Sequence, residues 1–478
     1  MVGKLILTFF FAVLTALMIA LNLQFFAFGI IFALFLGVVL SKRIEYGLYI
    51  MTAWIPLQYF LTKYYSLLPR HFVWVDEIVL SMMFLIIIPK KIIFREKINV
   101  CNVDVAVLLF LVVALISGII NAVNPLMGVL GVRDFLQYYI LYLIVKNISL
   151  EKRALKVLSW IVIITLIVQL PVGLYQFYSW KPAYINNTTG GYVNGKGFSY
   201  YDAVVGTFVI GANNFGYLMA LFILFSLGLF LGSRDKRWLF FAVYLFPVFC
   251  FARGMGAFFV FLISFVFYKV TLKNFLKFIS ISLISLVLFF AGSVYYGQYF
   301  NQKSDVHSIE EYIQQQLDVS PGSSGRLIGI KFTNDLLLEN SPASLIGFGP
   351  GNYSSFTGRR FDAPHYVKAV NVLRNNRCLT ENDIVPVIGE YGYSGYILFL
   401  LIAFWLFRRN EYISHNSQGL LSNLCFSAKG GFFIFLVGSV LTNIWSAAPI
   451  AFYVWLFAGC TQNMFLLQES RKDYIDAS

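Results

Sequence analysis

Apolar runs of about 17–25 residues recur along this chain, and each is long enough to cross a bilayer as a helix. The chain is 59% hydrophobic and 12% charged, with mean hydropathy +0.74, whereas soluble domains carry about 25% charged residues. The reading is an all-α, polytopic transmembrane helical bundle of about 12–14 spans. The runs lie near residues 5–22, 24–40, 46–61, 73–89, 103–121, 133–145, 157–178, 205–231, 237–251, 254–269, 276–295, 393–407, 428–443 and 447–467. The sixth is short enough to be interfacial instead. Only Lys4 precedes the first, and no small-residue cleavage site follows it, so it reads as a span rather than a removed signal.

The net charge is +13, but most of the basic residues gather in alternate loops. Examples are Lys42 with Arg43, Lys90 with Lys91, Lys146 with Lys152 and Arg153, and Arg408 with Arg409 and Lys429. That is the cytoplasmic-loop bias of membrane proteins, and it argues against a nucleic-acid partner. Placing those loops inside puts both termini in the cytoplasm and one long polar insertion outside. The expected organisation is a transmembrane bundle over 1–295, an extracytoplasmic loop domain over 296–392, and final spans with a tail over 393–478. Cys101, Cys250, Cys378, Cys425 and Cys460 show no paired or metal spacing, and the four histidines form no metal motif. No disulfide framework, metal or other cofactor is expected.

A polytopic chain that keeps its other loops short concentrates its chemistry in the long one. Arg253 stands in Phe251-Ala252-Arg253-Gly254-Met255-Gly256, a tight turn at the outer face, where it either snorkels to lipid phosphates or clamps an anion. Arg326 follows two N-cap candidates, Ser323 and Ser324. It opens an expected helix through Leu338 whose apolar face is Leu327, Ile330, Leu337 and Leu338. Free N–H groups beside a guanidinium suit a phosphate. The run Gly347 to Gly351, with Gly349 at its centre, reads as a tight turn, because it lacks the lysine of a phosphate loop. Glu381, Asn382 and Asp383 lie where the insertion re-enters the bundle. A carboxylate there either takes a proton from a sugar hydroxyl or bonds the loop backbone. His365 is a further candidate base. Arg133, next to Asp134, is a second anion contact, and the amides of Asn213 and Asn214 suit sugar hydroxyls.

Four passages, taken in order, resemble the O-antigen ligase and O-antigen polymerase superfamily of bacterial envelope glycosyltransferases. Val205-Gly206-Thr207-Phe208 leading to Asn213-Asn214-Phe215-Gly216 resembles that family's entry to a span. Phe251-Ala252-Arg253-Gly254 resembles its arginine turn. Ser324-Gly325-Arg326 with Ile346-Gly347-Phe348-Gly349 resembles its long-loop motif. Glu381-Asn382-Asp383 with Gly389-Glu390-Tyr391-Gly392 resembles its loop exit. The resemblance spans about residues 100–460. It implies a multi-pass enzyme of the bacterial cytoplasmic (inner) membrane that polymerises polyprenyl-diphosphate-linked oligosaccharide repeats, with Arg253 and Arg326 holding the diphosphate. The implied partners are the lipid-linked glycan donor, a glycan acceptor, membrane lipid, and polysaccharide export or chain-length regulator proteins. Family ligases carry a loop histidine where this chain has Glu381, which favours the polymerase over the ligase. The base stays open among Glu381, Asp383 and His365. A lipid-glycan transporter or flippase is the rival from another class; its usual pseudo-symmetric halves and midplane charges are not evident here.

Overall fold

The computed structural model describes residues 36–64, 67–185, 206–208, 212–252, 257, 260–261, 326–373, 379 and 382–476. Regular structure among them is helical, with no strand. In chain order the α-helices are α1 (Glu45–Trp54), α2 (Val75–Ile93), α3 (Asn102–Ile120), α4 (Pro125–Asn147), α5 (Lys152–Ile185), α6 (Ala212–Ser233) and α7 (Lys236–Phe251). There follow α8 (Arg326–Glu339), α9 (Ser341–Ile346), α10 (Phe356–Arg360), α11 (Pro364–Leu373), α12 (Ile384–Asn416), α13 (Leu420–Leu441) and α14 (Ala448–Asp476). Among the described residues, 8 helices are long and apolar enough to cross a membrane. The protein is therefore an all-α, multi-pass helical bundle. The expected spans at 5–22 and 276–295, and most of those at 24–40 and 254–269, lie outside the described residues.

Three expected spans differ from the helices found. The sixth is not short: α4 starts at Pro125, where Asn124 caps the helix by accepting from the Leu126 N–H at 2.9 Å. Proline suits the first position of a helix, because its missing N–H would have no intrahelical partner there. The third expected span, 46–61, is interrupted. α1 stops at Trp54, and Pro56 supplies no N–H to continue it; a π-helical turn at Phe60–Tyr64 follows. The eighth, 205–231, is not one helix: Gly206–Phe208 forms a buried turn with Gly206 at φ 57°, and α6 is described from Ala212.

α6 packs between α7 and α13, α3 lies along α12, and α4 lies along α14. The core is strongly aromatic: Trp455 of α14 lies 5.8 Å from the ring of Tyr139 and 5.6 Å from that of Tyr142, both on α4. Edge-on and tilted ring pairs of this kind add to packing beyond area burial.

The bundle has two chemically distinct ends. At one, Lys146 and Asp104 form a buried ion pair, with Tyr139 donating to the other carboxylate oxygen at 2.8 Å. Arg408 pairs there with Glu411 at 3.1 Å, and Arg409 donates to Gln462 at 2.7 Å. At the other end, α8 to α11 sit over a second apolar cluster. Ile328, Leu336 and Leu337 of α8 share it with Phe348, Tyr353, Ile384, Val385 and Ile388. The expected α8 face is thus corrected. Leu337 is buried and Ile330 packs against the cluster, but Leu327 and Leu338 are exposed, and Ile328 and Leu336 take their place. The helix docks on α12 through the 328, 336, 337 stripe, a face rotated from the one the apolar residues suggested.

α12 is two helices joined at Gly392, whose φ 67° and ψ −168° break the helical backbone. A Cβ there would collide with the backbone of Leu345, so the kink and the close approach of α9 require the same glycine. Gly347 is similarly constrained: φ is 74°, and a Cβ would collide with the Glu390 carbonyl group. Gly419 also has positive φ, 63°, yet nothing lies within 4 Å of its Cβ position. Gly419→Ala should therefore cost only the backbone strain of its φ 63°, ψ −133° conformation, about 1–3 kcal/mol. Gly347→Ala should abolish the monodisperse peak of the detergent-solubilised protein. Size-exclusion chromatography with thermal melting measures both, and similar behaviour of the two variants would show that the contact at Gly347 is not limiting.

Candidate functional site

The loop end is organised around Glu390, which is fully buried. Its carboxylate accepts backbone N–H groups from Gly351 at 2.7 Å, Ser355 at 3.1 Å and Tyr353 at 3.3 Å. A buried carboxylate is stable only with such compensation. The main chain adds to this: Phe348 N–H donates to the Gly389 carbonyl at 2.8 Å, and Gly349 N–H to the Glu390 carbonyl at 3.0 Å. Gly349, at φ 96°, is therefore part of the joint between loop and α12. Asn121 of α3 donates to the Gly347 carbonyl at 3.0 Å, and Asp134 of α4 accepts the Thr357 N–H at 2.8 Å. The long loop is thus hydrogen-bonded to three spans.

Two turns before Glu390, Asn382 and Asp383 stand at the start of α12. The Asn382 side-chain oxygen accepts the Val385 N–H at 2.9 Å, while its buried Nδ2 has no hydrogen-bond partner among the described residues. Asp383 accepts the Trp445 N–H at 2.8 Å and the Ser446 hydroxyl at 3.3 Å, and its own N–H donates to the Ser439 carbonyl at 3.0 Å. Burial pushes its carboxyl up to about 7, against the pull of these hydrogen bonds. In the same connection between α13 and α14, Thr442 donates to the Asn214 side-chain oxygen at 2.8 Å, and the Asn214 Nδ2 donates to Asn443 Oδ1 at 3.2 Å. Residues far apart in sequence, Asn214 and Asp383, are thereby drawn to one short connection, residues 442–446.

The other candidates are distributed around this centre. Arg133 is ion-paired with Glu77, and its guanidinium lies 5.0 Å from the Trp74 ring. Asp76 is buried one residue away from Glu77, accepting the Tyr138 hydroxyl at 2.9 Å. The charge of Arg133 is thus already matched, and the surrounding field is acidic. His365 stacks on Phe348 with ring centroids 4.2 Å apart. Burial, and then the Lys368 charge, lower its pKa, so the neutral imidazole prevails at pH 7. Arg326 is the first described residue of α8, and its expected caps, Ser323 and Ser324, lie outside the described residues. Arg253 and Glu381 lie outside the described residues, and Asn213 lies in the first turn of α6. Among the described residues no cluster of His, Cys, Asp and Glu could hold a metal.

Sequence reasoning passed over Thr442, Asn443 and Ser446, which sit in an unremarkable turn, and Arg359. Arg359 lies in the last turn of α10, donates to the Ser355 carbonyl at 3.3 Å, and loses some basicity through burial while Tyr366, Asp134 and Glu390 pull the other way. The adjacent pair Arg359-Arg360 within the insertion was the available signal.

The raised pKa of Asp383 has a sign. The folded state holds the proton more tightly than the unfolded chain does, so this group's contribution is full below about pH 4 and is lost as pH rises through about 7. The wild-type melting temperature should fall more between pH 5 and 8 than that of Asp383→Asn, whose amide oxygen still accepts from Trp445. Thermal melting in detergent measures this, and parallel curves would mean that Asp383 does not titrate in that window.

No protein-family model matches this chain, and no curated protein matches it in sequence.

Proposed function

We propose that the protein is a membrane glycosyltransferase that polymerises polyprenyl-diphosphate-linked oligosaccharide repeats into a surface polysaccharide. The observation that carries this reading is the meeting of Asn214, Asn382 and Asp383 at one polar joint beneath the docked loop. The partly exposed side chains there, Asn214, Asn443 and Ser446, suit glycan hydroxyls. Arg326 at the start of α8, and Arg253 directly after α7, are the proposed diphosphate contacts. A dianionic lipid diphosphate is a leaving group whose departure needs mainly positioning and positive charge. The basic residues at the opposite end, including Lys146, Arg408, Arg409 and Lys429, favour placing that end in the cytoplasm and the loop outside the cytoplasmic membrane.

Roles divide on physical grounds. Asp383 is fully buried and accepts from the turn after α13, so in this reading it holds the connection 442–446 in place. A base must reach the acceptor hydroxyl. His365, half-buried and neutral, fits that requirement, and Glu381 stays with it as a candidate. The acid at position 381 favours the polymerase over a ligase that transfers the finished glycan to another acceptor.

The test is a gel of surface polysaccharide and lipid-linked glycan from a deletion strain carrying the wild-type chain, Arg253→Ala or Arg326→Ala. The expected result is a ladder with the wild type and single repeats with each variant at equal expression. Long lipid-linked chains accumulating unattached in the deletion strain would identify a ligase. A normal ladder from both arginine variants would refute the glycosyltransferase site.

A further inference from the structure

The turn Gly206–Phe208 is buried inside the bundle, and polar groups of Gly206 and Thr207 are met by two glutamines of α5. Gln176 Nε2 donates to the Gly206 carbonyl at 2.9 Å, and its Oε1 accepts the Gly206 N–H at 2.9 Å. One turn pair earlier on the same helix, Gln169 Oε1 accepts the Thr207 N–H at 2.9 Å, and its Nε2 donates to the Thr207 hydroxyl at 2.8 Å. Both glutamines are fully buried. Non-helical backbone at membrane depth persists only where protein groups replace the missing helical bonds. These two side chains make each of the four bonds with a donor or acceptor that hydrocarbon cannot supply.

The turn is also a contact element. A Cβ on Gly206 would lie 2.6 Å from the ring of Phe215, in the first turns of α6, and Phe208 sits 6.2 Å from both Phe215 and Tyr453 of α14. Phe215 directly follows Asn214, whose side chain bonds Thr442 and Asn443. The mechanical path therefore runs from Gln169 and Gln176 through the turn and Phe215 to Asn214 and the connection that Asp383 holds.

We propose that Gln169 and Gln176 are positioning residues that register the start of α6 against the connection 442–446, and so set the geometry of the polar joint. The geometric part stands on these contacts; only its consequence for catalysis rests on the glycosyltransferase reading. Neither glutamine touches the joint itself.

Thiol cross-linking in the full-length protein tests this. Asn214→Cys with Asn443→Cys reports the loop end of the α6–α13 pair. Gly232→Cys with Asn423→Cys reports its other end, where a Cβ on Gly232 would lie 3.2 Å from the Asn423 Cβ. A short bis-methanethiosulfonate reagent is used, which forms a disulfide with each cysteine and releases methanesulfinate, and the specific linked peptides are quantified by mass spectrometry. In a Gln169→Leu/Gln176→Leu background the Asn214–Asn443 link should form about fivefold more slowly, the effect of losing one net buried hydrogen bond. The Gly232–Asn423 link should be unchanged. If that double variant does not fold, Gln176→Glu, which keeps the acceptor for the Gly206 N–H and loses the donor, should slow the first link alone. An unchanged first link, or equal slowing of both, would overturn the proposal, since the second outcome marks general destabilisation. A slowed first link in a chain whose wild type makes no polymer would leave the positioning role intact and remove the catalytic reading.

Discussion

Everything at the loop end depends on the desolvated carboxylate of Glu390. A charge taken out of water needs several hydrogen-bond donors, and those available are the N–H groups of Gly351, Tyr353 and Ser355. Satisfying it pulls the loop down onto α12, so that the ion and the loop each stabilise the other. Removing one partner of such an arrangement leaves the rest unsatisfied, which is why it acts as a unit. Gly347, Gly349 and Gly351 give the loop the positive φ values this wrap requires. Gly392 then turns α12 away, so that its remainder lies along α3.

The same rule of polar satisfaction in an apolar surrounding governs the membrane interior. Gln169 and Gln176 satisfy backbone groups of the buried Gly206–Phe208 turn. Asp104, Lys146 and Tyr139 close a buried network at the opposite end. Asp76 and Glu77 face Tyr138 and Arg133 across the α2–α4 contact. Each is a polar group in an apolar bundle with a named partner on another helix, and together these pairs set which helices can be neighbours.

For the candidate site, this means that the polar joint is built from pieces that were separate in the chain. Asn214 arrives on α6, Asp383 at the start of α12, and Thr442, Asn443 and Ser446 between α13 and α14. Asp383 acts on that connection through the Trp445 N–H, so its carboxylate determines where the hydroxyls and amides around it stand. Arg133 illustrates the opposite case. A basic residue at a span end looked available to an anion, but Glu77 on a different helix pairs with it.

The amino-acid sequence by itself determined the all-α membrane bundle, because apolar runs longer than the bilayer is thick have few other stable forms. It also determined that 326–338 is helical and that Gly347–Gly351 is a tight turn. It did not determine where α4 begins, because Pro125 and Asn124 read as a loop until their capping geometry is seen. Nor did it show that α8 docks through Ile328 and Leu336, because helical periodicity marks an apolar side without saying which part meets a partner. Only the tertiary structure decided that Glu390 anchors the loop, that Gln169 and Gln176 hold the turn Gly206–Phe208, and that Asn214 meets the connection held by Asp383. Each of these is a hydrogen bond between residues tens to hundreds of positions apart, and such a pairing leaves no local pattern in the chain.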